Sequence, residues 1–446
     1  MEISNERREV LLAEYLMHYR MVSKEEVAKL NVSELEFLIR AAQVHHEKKT
    51  MAADNFLMKA DVFRQVCADR LNELEHIYAA WNEKTEYPHI MGDGVILIFS
   101  EKGYADHARE HYADMGLSLR IQEIAKSKRE LFWADCHWWG MEQIVLDVGM
   151  YSTKLERDLL LPPPDFSDLP QEEIPVANPK LMFAMIRHRQ LLHEEKRDEQ
   201  WKQAEAYMCD RMLKEMVKAK FLCPVQLDSD HAQSEEEEAA NTEQGIALRV
   251  ALLTDAAGMK WLPVFTDGKA FRRAYDGKEW SGRMASYHDV VNMAGENGFV
   301  VNPGSMETRV EENRRKVLED YARRYERLQE EQVSGRLKEK KPGLFLGMPA
   351  EDEENARLKD LLTAYMKKEK SIRKAYLTVK VERGDDISYY LVVEHKGDRN
   401  EVLGGIVRAV EGKLGCMRMD LSEVNDKTAE LLADMEPFYK KGFLGL

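Results

Sequence analysis

The most regular alternation of apolar and polar positions runs from residue 246 to residue 305 and predicts an α/β module. Every second residue from 246 to 252 is apolar, which is the period of a half-buried strand. Gly258 can take the positive φ of a hairpin turn, and a second apolar strand follows at 261–265, with Leu262 and Phe265 as predicted core positions. Two helices, the second near 285–296, and a short strand at 299–301 complete a predicted ββααβ unit.

A helical period governs residues 1–80, which predicts a helical N-terminal region. Ser23 and Glu26 have the spacing of a capping box, and the last helix of this region is predicted from about Ala60 to Trp81.

The alternation of the α/β module recurs in weaker form in residues 81–160. Ile98-Phe99-Ser100 parallels Val264-Phe265-Thr266, and Asp147-Val148-Gly149 parallels Asn302-Pro303-Gly304. This pattern favours a diverged internal duplicate, although any strand–helix–strand unit can produce such parallels.

Proline, acidic and charged segments divide the rest of the chain. A Pro-rich linker is predicted at 161–177, the α/β domain at 178–306 with an acidic loop at 228–244, a connector helix within 307–345 and a C-terminal domain at 346–446. The C-terminal domain has the predicted order αββαβα and a mostly antiparallel sheet, so the fold class ranges from α/β to α+β.

Two groups of motifs resemble the enhanced serine sensitivity family, SseB. The motifs are LPVFT at 262–266 with VVNPG at 300–304, followed by GMP at 347–349, KAYL at 374–377 and EPFY at 436–439. They are similar, in order, to the N-terminal and C-terminal domains of that family. The resemblance implies a two-part α/β protein with no established activity, so it implies no catalytic residues.

Composition and charge narrow the function classes. The 446 residues carry a formal charge of −15, which disfavours nucleic acid and anionic membranes as partners. The chain has 44% hydrophobic residues, no apolar run of membrane length and no apolar signal-peptide centre, so a soluble protein is expected. Five scattered cysteines without a CxxC pair are typical of a reducing cytoplasm.

Two residue clusters suggest chemistry. Cys136-His137 could pair a nucleophile with a base, but the segment is predicted as extended chain or loop, where neighbouring side chains diverge. His45-His46 is a poor metal chelate on a helix for the same reason. We therefore predict no catalytic, cofactor-binding or metal-ligating residues and no cofactor.

The remaining hypothesis is a non-catalytic cytoplasmic binding or regulatory protein with a protein partner or small ligand. Four tryptophans form its predicted binding surface: Trp138, Trp139, Trp261 and Trp280. Self-association through a helix at 307–332 is an open alternative to a purely connecting role. The alternative function is that of an enzyme with dispersed active-site residues. Its most specific form is a thiol-dependent transferase that uses Cys136 or Cys416.

Overall fold

A computed structural model describes residues 3–48, 53–92, 94–170, 173–227, 239–241, 247–275, 279–295, 298–333, 336–382, 386–414 and 417–441. The chain divides into two compact units, residues 1–315 and 316–446. The predicted fold class is confirmed, since helices alternate with mixed sheets after a helical N-terminus.

The first unit begins with helices, as predicted. These are α1 (Asn5–Leu11), α2 (Lys24–Val27), α3 (Val32–Glu47) and α4 (Ala53–Glu73), with a π-helical turn at Leu12–Leu16. The capping box of Ser23 and Glu26 is confirmed at the start of α2. The predicted helix up to Trp81 is wrong at its C-terminal end, because His76–Asn82 forms a strand. Pairing of this strand along its whole length with residues 119–125 outweighs the local helical period.

The first sheet follows these helices. Its strands are β1 (His76–Asn82), β2 (Tyr87–Pro88), β3 (Ile90–Met91), β4 (Val95–Phe99), β5 (Leu119–Ala125), β6 (Gln143–Leu146) and β7 (Thr153–Glu156), with α5 (Lys102–Asp114) after β4 and α6 (Lys126–Trp138) after β5. The order is β2-β1-β4-β6-β7, with β5 also paired to β1 and β3 to β4. Only the central β4–β6 pair is parallel among these pairings.

Two helices and a second set of strands complete the first unit. The elements are α7 (Pro179–Leu192), α8 (Glu199–Lys218), β8 (Lys220–Leu227), β9 (Ala239–Asn241), β10 (Ala247–Val250), β11 (Leu253–Thr254), β12 (Lys260–Val264), α9 (Gly268–Ala274), β13 (Ser281–Ser286), α10 (Tyr287–Ala294), β14 (Gly298–Val301) and β15 (Thr308–Val310). Here too the central pair, β12–β14, is parallel. An antiparallel bridge between Leu222 and Phe265 joins β8 to the end of β12.

The two strand sets share one plan. In each, a helix pair leads to a long strand, and a helix–strand–helix unit separates the two parallel central strands. Asp147 and Asn302 follow the second central strand with φ of 45° and 48°. Asp147 accepts hydrogen bonds from the backbone and hydroxyl of Ser100, and Asn302 bonds to the same two groups of Thr266. Duplication of the module stays a prediction that this correspondence motivates.

Several details of the predicted α/β module change. Leu262 and Phe265 are fully buried and Gly258 has φ +80°, so the predicted core strand and hairpin turn are confirmed. Strand β13 was not predicted, because most of its residues are exposed and show no alternation. The predicted acidic loop lies outside the described residues at 228–238 and 242–246, while residues 239–241 form β9.

The second unit has a six-stranded sheet with helices. Its elements are α11 (Glu312–Val333), which starts in the first unit, β16 (Lys338–Lys341), β17 (Leu344–Gly347), α12 (Glu353–Lys368), β18 (Ile372–Glu382), β19 (Asp386–His395), α13 (Arg399–Val410), β20 (Arg418–Glu423), α14 (Asp426–Leu431) and β21 (Tyr439–Lys440). The order αββαβα from α12 to α14 is confirmed, and only β19–β20 is parallel among the described pairs. The helix predicted within the connector is α11, and Lys338–Lys341 after it pairs with β17 as a hairpin.

Candidate functional site

Two of the four tryptophans in the predicted binding surface, Trp138 and Trp139, lie at the C-terminal end of α6. Both are half-buried. The Trp139 ring packs edge-on against Trp81 at 6.0 Å and Tyr87 at 5.3 Å between ring centroids. Trp139 therefore holds α6 against the first sheet, and this packing leaves only part of the ring for a ligand.

The other two tryptophans lie in the second strand set. Trp280 is half-buried against Tyr275, with ring centroids 5.6 Å apart. Trp261 is 7% exposed, so the expectation that it is an exposed aromatic is wrong. Its indole donates to Asp255 at 3.0 Å and the guanidinium of Arg309 lies 5.3 Å from the ring centroid. The Trp138 ring contacts His137, with ring centroids 5.7 Å apart, so the four rings have separate packing partners.

Trp261 nevertheless lines a shallow cavity of about 220 Å³. Asp255, Glu307 and Arg309 supply its charged groups. Arg309 contacts Asp255 at 3.6 Å and Glu307 at 2.9 Å, so its charge is already balanced by carboxylates. This cavity offers an aromatic wall without an uncompensated charge.

The Cys136–His137 pair does not form a nucleophile and its base. Both residues lie in the last turn of α6, which corrects the extended or loop conformation predicted for them. Cys136 is fully buried, and burial raises the pKa of its thiol. Because adjacent helical side chains point about 100° apart, the imidazole of His137 faces another direction and lines a cleft.

That cleft lies in the first unit and has a volume of about 370 Å³. Its walls come from the end of α6, the turn at Arg157–Leu159, the start of α7 and the end of α8. Gly140 permits this arrangement: it has φ +70°, and a Cβ there would lie 2.2 Å from the carbonyl oxygen of Pro179. The cleft therefore depends on a close backbone approach between the two halves of the first unit.

Three cationic side chains and two carboxylates line the cleft. They are Arg157, Lys180 and Lys218, opposed by Glu142 and Glu215. Lys218 and Glu215 are 3.5 Å apart, and both side chains are mostly buried. The pKa of His137 is lowered by burial and by the charge of Arg157, so its imidazole is neutral at pH 7. Asp158, which pairs with Arg157, is a third carboxylate beside the cleft.

Arg157 is the most unusual of these groups, because its side chain is only 6% exposed. Its two terminal nitrogens contact the carboxylate of Asp158 and the carbonyl of Leu161, the latter at 3.2 Å. Its Nε is buried and has no partner among the described residues. A buried N–H without an acceptor is costly unless a ligand or water supplies one.

The start of α7 adds backbone donors to the cleft. Helix α7 begins at Pro179, and Asn178 does not cap it, because its amide donates to the carbonyls of Lys220 and Thr266 at 2.7 Å each. The first N–H groups of α7, at Lys180 and Leu181, thus lack a side-chain cap. An uncapped helix N-terminus favours an anionic group.

No motif in the sequence indicates this cleft directly. Arg157, Lys180 and Lys218 come from three segments, and the segments meet only after folding. The one local signal is Asn178-Pro179, which predicted the helix start but not what faces it.

The described part of the chain contains no helix that is both long and apolar enough to cross a membrane. Fold and cleft together define a modular α/β protein with a ligand-sized cleft, lined by charged side chains, in its first unit. The chain contains two domains of the SseB type: residues 199–312 match the SseB protein N-terminal domain and residues 340–441 match the SseB protein C-terminal domain. No curated protein and no solved structure matches the chain significantly.

Proposed function

We propose that this protein with SseB-type domains is a non-catalytic cytoplasmic binding or regulatory protein, and that its ligand is a small molecule with a carboxylate or phosphate group. The observation that carries the proposal is that Arg157, which lines the cleft, has a buried Nε without a hydrogen-bond partner among the described residues. A volume of about 370 Å³ lies in the range of small-molecule sites.

The charges around the cleft support an anionic ligand. Arg157, Lys180 and Lys218 line the cleft, and the uncapped start of α7 adds aligned N–H groups. A single carboxylate or phosphate could accept from Arg157 and from the helix end together.

The thiol-dependent enzyme receives no support from the described cysteines. Burial raises the pKa of the thiols of Cys67, Cys136, Cys209 and Cys223, the last to about 12. A reactive thiol needs the opposite, a stabilised thiolate. Cys416 lies outside the described residues.

Self-association through residues 307–332 stays a prediction. The apolar side chains of this helix differ in exposure. Leu318 and Tyr321 are buried in the single chain, whereas Val317 is 40% exposed. A dimer would therefore have to use side chains such as Val317, or displace existing contacts.

Melting of the full-length protein in inorganic phosphate or succinate, against sodium chloride of equal ionic strength, tests the anion site. We expect a saturating rise in melting temperature with at least one of the two anions, because a ligand that binds only the folded state stabilises it. Lys218→Gln should weaken the response at least about tenfold, since it removes a charge-assisted contact.

Lys214→Gln is the matched control, since Lys214 lies one turn earlier on α8 and pairs with Asp210 at 3.1 Å outside the cleft. Its response should equal that of the wild type. Equal losses in both variants would show general charge screening, and no response of the wild type would refute the anionic ligand.

A further inference from the structure

A second group of chemically active side chains lies between α7 and α8. His188 comes from α7, and Glu205 and Cys209 come from α8. One ligand atom from each of these three residues lies within 4.8 Å of the others. A nitrogen, an oxygen and a sulfur donor therefore meet at one place.

Helix geometry explains why these three meet. Glu205 and Cys209 are four residues apart, so they lie one above the other on the same face of α8. Helix α7 packs against that face, and Nε2 of His188 lies 3.0 Å from a carboxylate oxygen of Glu205. The His188–Glu205 contact would by itself be an ordinary ion pair, but the thiol of Cys209 completes a set of metal ligands.

We propose that His188, Glu205 and Cys209 form a binding site for a divalent ion of the zinc class, with one coordination position left for water or an external ligand. Imidazole, thiolate and carboxylate are the three ligand types that zinc takes in proteins. Oxygen-binding ions such as Mg²⁺ and Ca²⁺ are disfavoured by the sulfur and nitrogen donors.

The distances suit tetrahedral coordination after small side-chain movements. Bonds of about 2.0–2.3 Å to the metal place two ligand atoms of a tetrahedron roughly 3.3–3.8 Å apart. The three atoms already lie between 3.0 Å, for the His188–Glu205 contact, and 4.8 Å. Side-chain rotations that move the ligand atoms by about 1 Å or less would bring them to these separations.

Exposure and charge also suit an ion. The side chains of His188 and Glu205 are 11% and 28% exposed, which shields the ion but leaves a path for it and for a water ligand. Glu205 and a Cys209 thiolate would together neutralise a doubly charged cation. Without metal, burial and then the charge of Glu205 raise the pKa of the Cys209 thiol, and Arg314 only partly opposes this rise.

Binding releases a proton from the protein. Without metal the Cys209 thiol keeps its proton, so the metal–sulfur bond forms as the S–H bond breaks and the proton goes to solvent. No electron is transferred. His188 supplies a lone pair from a neutral ring nitrogen.

The ion would fasten together the two helices that also line the cleft. His188 is nine residues beyond Pro179, about 13 Å along the axis of α7 at 1.5 Å per residue. The metal site therefore lies apart from the cleft, and metal binding is a function additional to the proposed anion binding. A bound ion would still hold in place α7 and α8, the two helices that carry both the metal site and part of the cleft.

Titration of the metal-free full-length protein with Co²⁺ and with Zn²⁺ tests the proposal. With Co²⁺ we expect one equivalent to bind and to produce a thiolate-to-cobalt charge-transfer absorption, which only a cysteine ligand causes. Zn²⁺ should displace the cobalt. Cys209→Ser should abolish the charge-transfer band, and both Cys209→Ser and His188→Gln should weaken Zn²⁺ binding by more than about tenfold, since even outer-shell changes cost about 10–100-fold.

His193→Gln is the matched control, because His193 is exposed at the end of α7 and is not among the three ligands. It should bind metal as the wild type does. Circular dichroism confirms that each variant is folded, and Glu205→Gln provides an independent third variant. The proposal is overturned if wild-type protein gives no charge-transfer band, or if Zn²⁺ binds the folded variants as tightly as the wild type.

Discussion

At the residue scale, the first strand set differs from the second by a pair of buried carboxyl groups. Glu36 and Asp147 are both 0% exposed, and Asp147 accepts the two hydrogen bonds from Ser100. Burial and the charge of Asp147 raise the pKa of Glu36 well above its ordinary value, and the two carboxyls can hydrogen-bond to each other only if one of them keeps its proton. In the second strand set the amide of Asn302 contacts Met182 Sδ at 3.3 Å and needs no shared proton.

Glu36→Gln should therefore stabilise the protein at alkaline pH. Burial, and next the charge of Asp147, raise the pKa of Glu36 well above its ordinary 4.5, so the folded state holds a proton that the unfolded chain releases. Stability then falls as the pH rises from about 4.5 through the folded pKa. At pH 8 the variant should gain about 1–3 kcal/mol in unfolding free energy, and near pH 4 the gain should disappear.

Denaturant unfolding between pH 4 and pH 8 measures this gain. Glu47→Gln is the control, because Glu47 lies on the same helix and is exposed. A variant whose pH dependence matches that of the wild type would show that Glu36 is ionised in the folded state.

Cysteine reactivity is the second prediction at this scale. Cys67, Cys136 and Cys223 are fully buried and Cys209 is partly buried, so alkylation of each at neutral pH should be slower than that of free cysteine, with Cys209 the fastest of the four. Mass spectrometry of a time course gives the rate for each thiol. A thiol that reacts about a hundredfold faster than free cysteine would restore the enzyme hypothesis.

At the scale of elements, tertiary packing decided whether some segments form a helix or a strand, which the local hydrophobic period could not decide. Residues 76–82 follow a helical pattern in sequence but form β1, because β4 and β5 pair with both edges of this strand. The exposed edge strand β13 has no pattern at all. Buried central strands such as β4 and β12 were predictable, since continuous burial requires apolar residues.

The contact between Gly140 and the start of α7 yields a prediction about these elements. Gly140→Ala should cost about 2–4 kcal/mol, from the left-handed φ and from the overlap of its Cβ with the Pro179 carbonyl. Gly116→Ala, at φ +82° with no atom within 4 Å of the added Cβ, should cost only about 1 kcal/mol.

Thermal or denaturant unfolding of the two variants separates backbone strain from overlap. Equal losses of unfolding free energy would mean that α7 can move away from residue 140 freely. The close contact between Gly140 and Pro179 would then not fix the shape of the cleft.

At the scale of the whole molecule, the division at residue 315 cuts through α11. Within the second unit, Arg324 pairs with Glu354 and Arg327 with Asp352 near the start of α12. Leu362, Leu377, Val393 and Ile406 belong to a separate hydrophobic core in this unit. The second unit thus has the core that independent folding requires.

A fragment of residues 312–446 should fold alone and unfold in one cooperative transition. A fragment of residues 336–446 lacks α11 with its two ion pairs, and should be less stable by about 1–2 kcal/mol. Circular dichroism during heating measures both. If the longer fragment is unfolded, the second unit depends on the first for its stability.

By itself, the sequence determined the fold class, the presence of two SseB-type domains and most buried elements. These depend on local periods, turn residues such as Gly258 and short motifs such as LPVFT, all of which are properties of neighbouring residues. The tertiary structure alone decided which side chains meet. Arg157 with Lys218, and His188 with Cys209, come from segments that no local pattern relates, and helix packing and a close backbone approach place them together. The exposure of Trp261 was likewise undecided in the sequence, because an indole on a strand can face water or core, and here Asp255 and Arg309 cover it.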